Sequence, residues 1–410
     1  MGSENIITEK KQKVDYRGPL AIMTSLFFVW GLVTVMNNLM MPYMKGVFDL
    51  NNTEANLVNF AFFLAYFVMA TPASMLLNKT GYHKGIVVGL CLLAFGLLGF
   101  YPAGLWISFP AFLFSLFVMG TGVTILQVAC NPYISALGDP ETASVRVNLA
   151  GGFNSLATTI GPIFISFLVL SAAEKATTVA EKAAAVQLPY VGVAIFVFAL
   201  AFIVNKLNLP KLDIETSSEE KVAGNPWAYR HLVLGVLAIF CYVGAEVSIG
   251  TFMIDYIGLN DILALEASDA AFYVSLYWGC LMVGRFIGSA ILSKISNEVV
   301  LSTAAVMGAI LTGFAIVGTG SVAAWSLVGV GLFASVMWGC IFPLGIRDMG
   351  KLTGKASGAM IMGVLGGAII PLIQGYLADV SGIQFSFIVP VVCFAYIFSY
   401  AVWGSKVLNK

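Results

Sequence analysis

Charged residues are scarce in this sequence, and their scarcity limits where the protein can reside. Asp, Glu, Lys and Arg make up 10% of the 410 residues, whereas a soluble protein carries about 25%. Hydrophobic residues make up 59%, and the mean hydropathy is +0.91. The composition excludes an ordinary soluble protein and indicates an integral membrane protein, for which the apolar runs described below predict an all-α fold.

Sequence motifs of enzymes and metal sites are also missing. The six cysteines lie in apolar runs without CxxC spacing, so neither a disulfide framework nor a zinc site is expected. There is no P-loop and no HExxH, and the two histidines, His83 and His231, lie at predicted helix ends. We expect no enzyme activity, no cofactor, no metal, no nucleic acid and no obligatory protein partner. The partners expected are the lipid bilayer and a small molecule.

Twelve apolar runs are long enough to cross a bilayer, which takes about 20 residues. They are numbered here as spans 1 to 12 and cover residues 19–44, 57–78, 85–102, 106–136, 149–171, 189–207, 230–256, 270–293, 298–317, 321–344, 355–378 and 384–406. With the N-terminus in the cytoplasm, 18 of the 21 Lys and Arg residues fall on the cytoplasmic side, and only Lys45, Lys175 and Lys182 lie outside. This asymmetry predicts that both termini are cytoplasmic.

The chain is predicted to consist of two halves. A polar stretch at 208–229 is interpreted as a cytoplasmic linker between six-helix bundles at 19–207 and 230–406, after a cytoplasmic tail at 1–18.

Sequence similarity between the halves supports this division. Span 1 reads VWGLVTVMNNLMMPY and span 7 reads YVGAEVSIGTFMIDY, which places Gly31 on Gly244 at an offset of 213. Pro132 and Pro343 differ by 211. Parallel six-helix repeats of this kind are found in major facilitator transporters, so we predict that fold, with two six-helix pseudo-repeats.

The stretch ILQVACNPY, residues 125–133 in span 4, places two amides and a helix breaker in a membrane. Gln127 and Asn131 are four residues apart and share one helix face. Pro132 frees a backbone carbonyl of the preceding turn, which Asn131 is expected to cap. Gln127, one turn deeper, is the better ligand candidate.

Several stretches resemble the fucose/glucose/galactose permeases. They are FFVWGLVTVMNNLMMPY, LQVACNPYISALGDPETASVRVNLAGGFNSLATTIGP, YVGAEVSIGTF, GRFIGS and IMGVLGGAIIPLIQGYLAD. The resemblance implies uptake of a hexose or related sugar across the bacterial inner membrane, usually coupled to proton entry. It also implies a functional role for Asn154 in span 5.

Two positions depart from the fucose permeases. Those proteins carry an Asp where this chain has Asn38 and a Glu where it has Gln127, although glucose/galactose relatives often have Gln there. An amide cannot titrate, so neither position can carry a proton.

A sugar site needs amides and carboxylates for the hydroxyls and an aromatic ring for the apolar face, near mid-membrane between the halves. The predicted substrate-binding residues are Asn38, Gln127, Asn131, Asn154, Glu246, Tyr273, Tyr277, Trp278, Trp338 and Gln374. Phe27, Trp30 and Tyr242 are further aromatic candidates. For the amides, the alternative is a hydrogen bond between helices.

Glu246 is the only carboxylate that the predicted topology places well inside a span. A charge there costs about 2.5–3.5 kcal/mol even on lenient scales, so Glu246 is predicted to be the coupling residue for H⁺ or Na⁺, or a ligand for a sugar hydroxyl. Asn38, Gln127 and Ser248 could complete a Na⁺ site with it. The alternative is a protonated or locally paired glutamate that fixes span 7.

The predicted gating residues are Lys84, Arg146, Arg285 and Arg347. By resemblance, Lys84 lies in the superfamily's acidic-basic loop motif, with Asn78 in place of the acid, and Arg285 is in the mirror position. Arg146 and Arg347 are expected to pair with Asp139, Glu141 and Asp348 when the cytoplasmic side closes. The alternative is simple anchoring of cytoplasmic loops.

The favoured function is a cation-coupled hexose transporter that works by alternating access. A facilitated-diffusion uniporter is the alternative, because two family carboxylates are replaced by amides. A drug/H⁺ antiporter is disfavoured by the amide-rich interior, and a sugar sensor by the short tails.

Overall fold

The computed structural model describes residues 16–48, 52–165, 178, 187–207, 209–210 and 224–407. Within these ranges it does not describe the side chains of residues 17, 35, 37–47, 52–56, 59, 162–165, 267, 268 and 271. The helices of the first half are α1 (Arg17–Phe48), α2 (Asn52–Leu105), α3 (Phe109–Ala136), α4 (Ala143–Ile165) and α5 (Gln187–Lys206). They correspond to span 1, spans 2 and 3 together, span 4, the described part of span 5, and span 6.

The helices of the second half are α6 (Arg230–Ile257), α7 (Ala267–Leu292), α8 (Asn297–Val317), α9 (Gly320–Ala334), α10 (Met337–Gly345), α11 (Thr353–Met362), α12 (Gly366–Ser381), α13 (Ile383–Ser386) and α14 (Ile388–Ser399). Helices α6 to α8 are spans 7 to 9. Spans 10, 11 and 12 are each built from a pair, α9 with α10, α11 with α12, and α13 with α14. In the described part of the chain, nine helical segments are long and apolar enough to cross a membrane by length and composition.

The segment numbered α2 consists of two helices, spans 2 and 3, which meet at a glycine. Gly81 in α2 has φ 81° and ψ 166°, a backbone conformation that glycine adopts without a steric penalty. The helix of span 2 therefore ends at Gly81, and the helix of span 3 follows it directly.

Span 11 is interrupted where it presses against α6. A 3₁₀ turn at Gly363–Leu365 separates α11 from α12, and a Cβ added at Gly366 would collide with the backbone carbonyl of Phe240. The GVLGG run therefore allows two helix backbones to touch, as small residues do between membrane helices.

The helices form two bundles, the N-terminal bundle (α1–α5) and the C-terminal bundle (α6–α14). The bundles pack on each other where α4 contacts α7 and α10, and where α11 contacts α2 and α3. A Cβ added at Gly358 in α11 would lie 2.9 Å from the carbonyl oxygen of Ala70 in α2.

Contacts between the bundles concentrate at one end. This closed end carries the α3–α4 connection (137–142) and the α10–α11 connection (346–352). There Ser357 donates to the carbonyl of Val128 at 2.9 Å, and Ser289 donates to the carbonyl of Val145 at 3.2 Å. The predicted fold is confirmed, whereas the exact domain boundaries stay a prediction.

Candidate functional site

A cavity of about 1060 Å³ lies between the two bundles. The N-terminal bundle lines it with residues of α1 to α4, and the C-terminal bundle with residues of α6, α7, α10 and α12. Opposite the closed end, the cavity reaches the exposed side chains of Leu57, Tyr376 and Asp379. It therefore occupies the position between the halves that the sequence analysis predicted for a substrate site.

An ion pair forms part of the C-terminal wall. Oε1 of Glu246 in α6 lies 3.5 Å from Nη2 of Arg285 in α7, and the hydroxyl of Tyr242 donates to the same carboxylate oxygen at 2.9 Å. The side chain of Glu246 is 12% exposed and that of Arg285 is 14% exposed. The opposite charges balance each other, which offsets part of the cost of placing either one in a membrane.

Arg285 also reaches the other bundle. Its Nη1 donates to the carbonyl of Gly151 in α4 at 3.0 Å, and its Nη2 to the hydroxyl of Tyr242 at 3.4 Å. The planar guanidinium can serve several acceptors at once, which a lysine ammonium cannot do with the same geometry.

The N-terminal wall offers amides. Gln127 in α3 lines the cavity, and its Nε2 donates to the hydroxyl of Tyr66 in α2 at 3.3 Å. Asn154 in α4 also lines the cavity, and its Nδ2 donates to the carbonyl of Phe27 in α1 at 2.9 Å. Because those bonds use amide N–H groups, the amide oxygens can still accept from a ligand hydroxyl.

Three tryptophans from different helices line the same space. Trp30 lies in α1, Trp278 in α7 and Trp338 in α10. Trp338 stacks on Phe342 with centroids 6.0 Å apart and planes 17° apart. Such rings can cover the apolar face of a ligand whose polar groups meet the amides and the ion pair.

Of the ten predicted substrate-binding residues, five line the cavity, namely Gln127, Asn154, Glu246, Trp278 and Trp338. The predicted roles of these residues stay predictions. The side chain of Asn38 lies outside the described part of the structure.

The other four predicted ligands have contacts within the protein instead. Asn131 is fully buried and accepts from Trp338 Nε1 at 3.3 Å. Tyr277 is buried behind the ion pair, where its hydroxyl donates to the carbonyl of Glu246 at 3.2 Å. Gln374 is buried and donates to Ser386 at 3.3 Å. Tyr273 packs on Trp325, with centroids 5.7 Å apart, so the predicted cluster in span 8 contributes only Trp278 to the cavity lining.

Arg285 is placed differently from the expectation. The sequence predicts a gating residue on the cytoplasmic side, whereas Arg285 lies inside span 8 and lines the cavity. The sequence signal for this position is that an arginine within a membrane span needs a partner, and Glu246 in the neighbouring span is one.

The described residues show no salt bridge of Arg146 or Arg347 with Asp139, Glu141 or Asp348, and the gating role of these residues stays a prediction. The guanidinium of Arg146 donates to the carbonyls of Ile134, Ser135 and Asp139 and to the hydroxyl of Thr142, so it caps the end of α3. Arg347 pairs with Glu298 at 2.8 Å. Lys84 is exposed. A guanidinium can donate to free helix carbonyls as readily as it donates to a carboxylate. The pattern of charges in the sequence cannot tell these two kinds of acceptor apart.

Two further lining residues had no sequence signal. Tyr66 is one of many aromatics in the spans, and Asp379 lies near the end of α12, just beyond the predicted end of span 11. Ser248, suggested above as a Na⁺ ligand, is fully buried, and its hydroxyl has no hydrogen-bond partner among the described residues. No cluster of three or more His, Cys, Asp or Glu side chains that could hold a metal occurs in the described ranges.

Comparisons with known proteins agree with this architecture. The chain is 44% identical to the glucose/galactose transporter of Brucella abortus over 400 residues, 97% of each chain. It is 30% identical to the L-fucose-proton symporter of Escherichia coli over 435 residues, 99% of each chain. A crystal structure of the transporter FucP in the outward conformation matches with a TM-score of 0.87 at 30% identity, over 96% of this chain and 100% of that one. Residues 23–365 match the family model of the Major Facilitator Superfamily. The chain is a multi-pass membrane protein that belongs to the Major Facilitator Superfamily.

Proposed function

We propose that this protein is a cation-coupled importer of hexoses such as glucose, galactose or fucose, working by alternating access in a bacterial inner membrane. The observation that carries the proposal is the cavity between the bundles, in which Gln127, Asn154 and the Glu246–Arg285 pair share the wall with three tryptophans. Polar groups for hydroxyls and rings for the C–H face are what a sugar needs. The names of the relatives point to the same substrate class.

The charge asymmetry supports cytoplasmic termini, and it remains strong without Arg285. With that orientation the closed end faces the cytoplasm, and the cavity faces the outside. The conformation is then outward-facing, the state in which an importer receives its substrate.

Glu246 is the proposed coupling residue. It is a carboxylate that a cavity ligand can reach, and its partner Arg285 also holds the other bundle through Gly151. A cation that neutralises Glu246 would release Arg285, and this would link the charge of the site to the contact between bundles. Both H⁺ and Na⁺ satisfy this requirement.

The test is uptake of radiolabelled D-glucose, D-galactose and L-fucose into proteoliposomes with an imposed H⁺ gradient, an imposed Na⁺ gradient or no gradient. Concentrative uptake with one ion supports the proposal and identifies the ion. Equilibration under all three conditions would contradict cation coupling, and no uptake of any sugar would contradict the substrate class.

A facilitated-diffusion uniporter is the second candidate. Two observations favour it. Gln127 is an amide at the position where fucose permeases carry a glutamate, and Glu246 is already paired with Arg285. In the same assay a uniporter equilibrates each substrate without regard to the ion.

A further inference from the structure

The side chain of Asn131 connects the cavity wall to the opposite bundle. Its Nδ2 donates to the carbonyl of Gln127 one turn earlier, at 2.9 Å. That bond turns Oδ1 outward, where it accepts from Nε1 of Trp338 at 3.3 Å. Asn131 is 0% exposed, so a ligand in the cavity meets the indole and not the amide.

The next residue supplies a second acceptor on the same helix. Pro132 has no N–H, so the carbonyl of Val128, four residues earlier, loses its helical donor. Ser357 in α11 uses this carbonyl at 2.9 Å, and Ser357 is fully buried. Asn131 and Pro132 therefore give α3 two acceptors that the C-terminal bundle occupies.

The corresponding serine of the other half provides an internal comparison. Ser144 precedes Ser357 by 213 residues, the offset that also relates Gly31 to Gly244. Ser144 is 1% exposed, and its hydroxyl has no hydrogen-bond partner among the described residues. The two serines thus match in burial and differ in bonding.

We propose that Asn131 is a positioning residue that holds the indole of Trp338 as the sugar-facing wall, and that the Ser357 bond to the Val128 carbonyl latches the same helix to the opposite bundle. The part of this proposal that has Trp338 face a sugar rests on the proposed function. Both bonds cross between the bundles, so both must break before the closed end can open. A ligand that shifts the indole acts directly on the first of them.

The first test compares two variants that remove the same bond from opposite sides. Trp338→Phe keeps an aromatic ring without the donor, and Asn131→Ala removes the acceptor. Each is expected to lower the affinity for tritiated D-galactose or D-glucose by about two- to tenfold, as for one lost hydrogen bond. The double variant is expected to bind no more weakly than either single one. Trp325→Phe, on an exposed ring of α9, is the matched control.

The second test measures hydrogen–deuterium exchange by mass spectrometry in the full-length protein without ligand. Ser357→Ala should speed exchange in 353–362 by about two- to tenfold, and Ser144→Ala should leave that rate unchanged. Asn131→Ala should speed exchange in 337–345.

Each result decides part of the proposal. Independent, multiplying effects of Asn131→Ala and Trp338→Phe on affinity would overturn the positioning role. Equal exchange in Ser357→Ala and Ser144→Ala would overturn the latch. If the unmodified protein binds none of the sugars, the proposed function fails, while unchanged exchange in 337–345 of Asn131→Ala would separately refute the contact to Trp338.

Discussion

Arg285 lies between Glu246 and Gly151, with Nη2 3.5 Å from the carboxylate and Nη1 donating to the carbonyl of the opposite bundle at 3.0 Å. One side chain thus joins the only described ion pair of the cavity to the contact between the bundles. A change in the charge of Glu246 alters the restraint on Arg285, and through it the contact at Gly151.

Replacing Glu246 with Gln is expected to abolish accumulation of sugar against a gradient while sugar counterflow continues. The amide cannot bind a proton or balance Arg285. Accumulation and counterflow in proteoliposomes give the measurement. Glu246→Gln/Arg285→Gln, in which both charges are removed, is expected to regain thermal stability that the single variant loses. Unchanged accumulation in Glu246→Gln would place coupling elsewhere.

Replacing Gln127 with Ala is expected to weaken sugar binding by about 1–3 kcal/mol, because a ligand hydroxyl loses its partner in the wall. Equilibrium binding of a labelled hexose measures the change. Tyr66→Phe, which removes the acceptor of the Gln127 amide from the same wall, shows how much of the change comes from that bond. An affinity equal to that of the unmodified protein would make Gln127 a structural residue.

Trp278 and Tyr273 are five residues apart in α7, and only Trp278 lines the cavity. Trp278→Leu is expected to reduce sugar affinity by about 0.5–1.5 kcal/mol through loss of ring contact. Tyr273→Leu should leave affinity unchanged, because Tyr273 packs on Trp325. The same binding assay measures both affinities. Equal losses of affinity in the two variants would show that the position of Trp278 in the cavity wall is not the reason for its effect.

Arg146→Lys is expected to lower stability by about 1–3 kcal/mol, because lysine cannot reproduce a fork that serves three carbonyls. The melting temperature in detergent measures it. Lys84→Gln, at an exposed position, serves as the control and should melt like the unmodified protein. A melting temperature of Arg146→Lys equal to that of Lys84→Gln would show that the carbonyl cap is not needed.

The fold could be predicted because its signals are local. A membrane span needs about 20 apolar residues whatever its neighbours are, and the offset between Gly31 and Gly244 is readable without coordinates. The site could be predicted only in part. Glu246, Gln127 and Asn154 stood out because polar groups in lipid are costly, but the same reasoning selected Gln374, whose amide is bonded to Ser386 inside one bundle.

The sequence by itself determined a membrane protein of twelve spans in two related halves, since hydrophobic length and repeat offset are properties of the chain. Only the tertiary structure decided which polar groups face the cavity. It placed Arg285 beside Glu246 and turned Asn131 away towards Trp338. The physical reason is that the partner of each polar side chain comes from another helix, and the direction in which a side chain points depends on how the helices are rotated and packed.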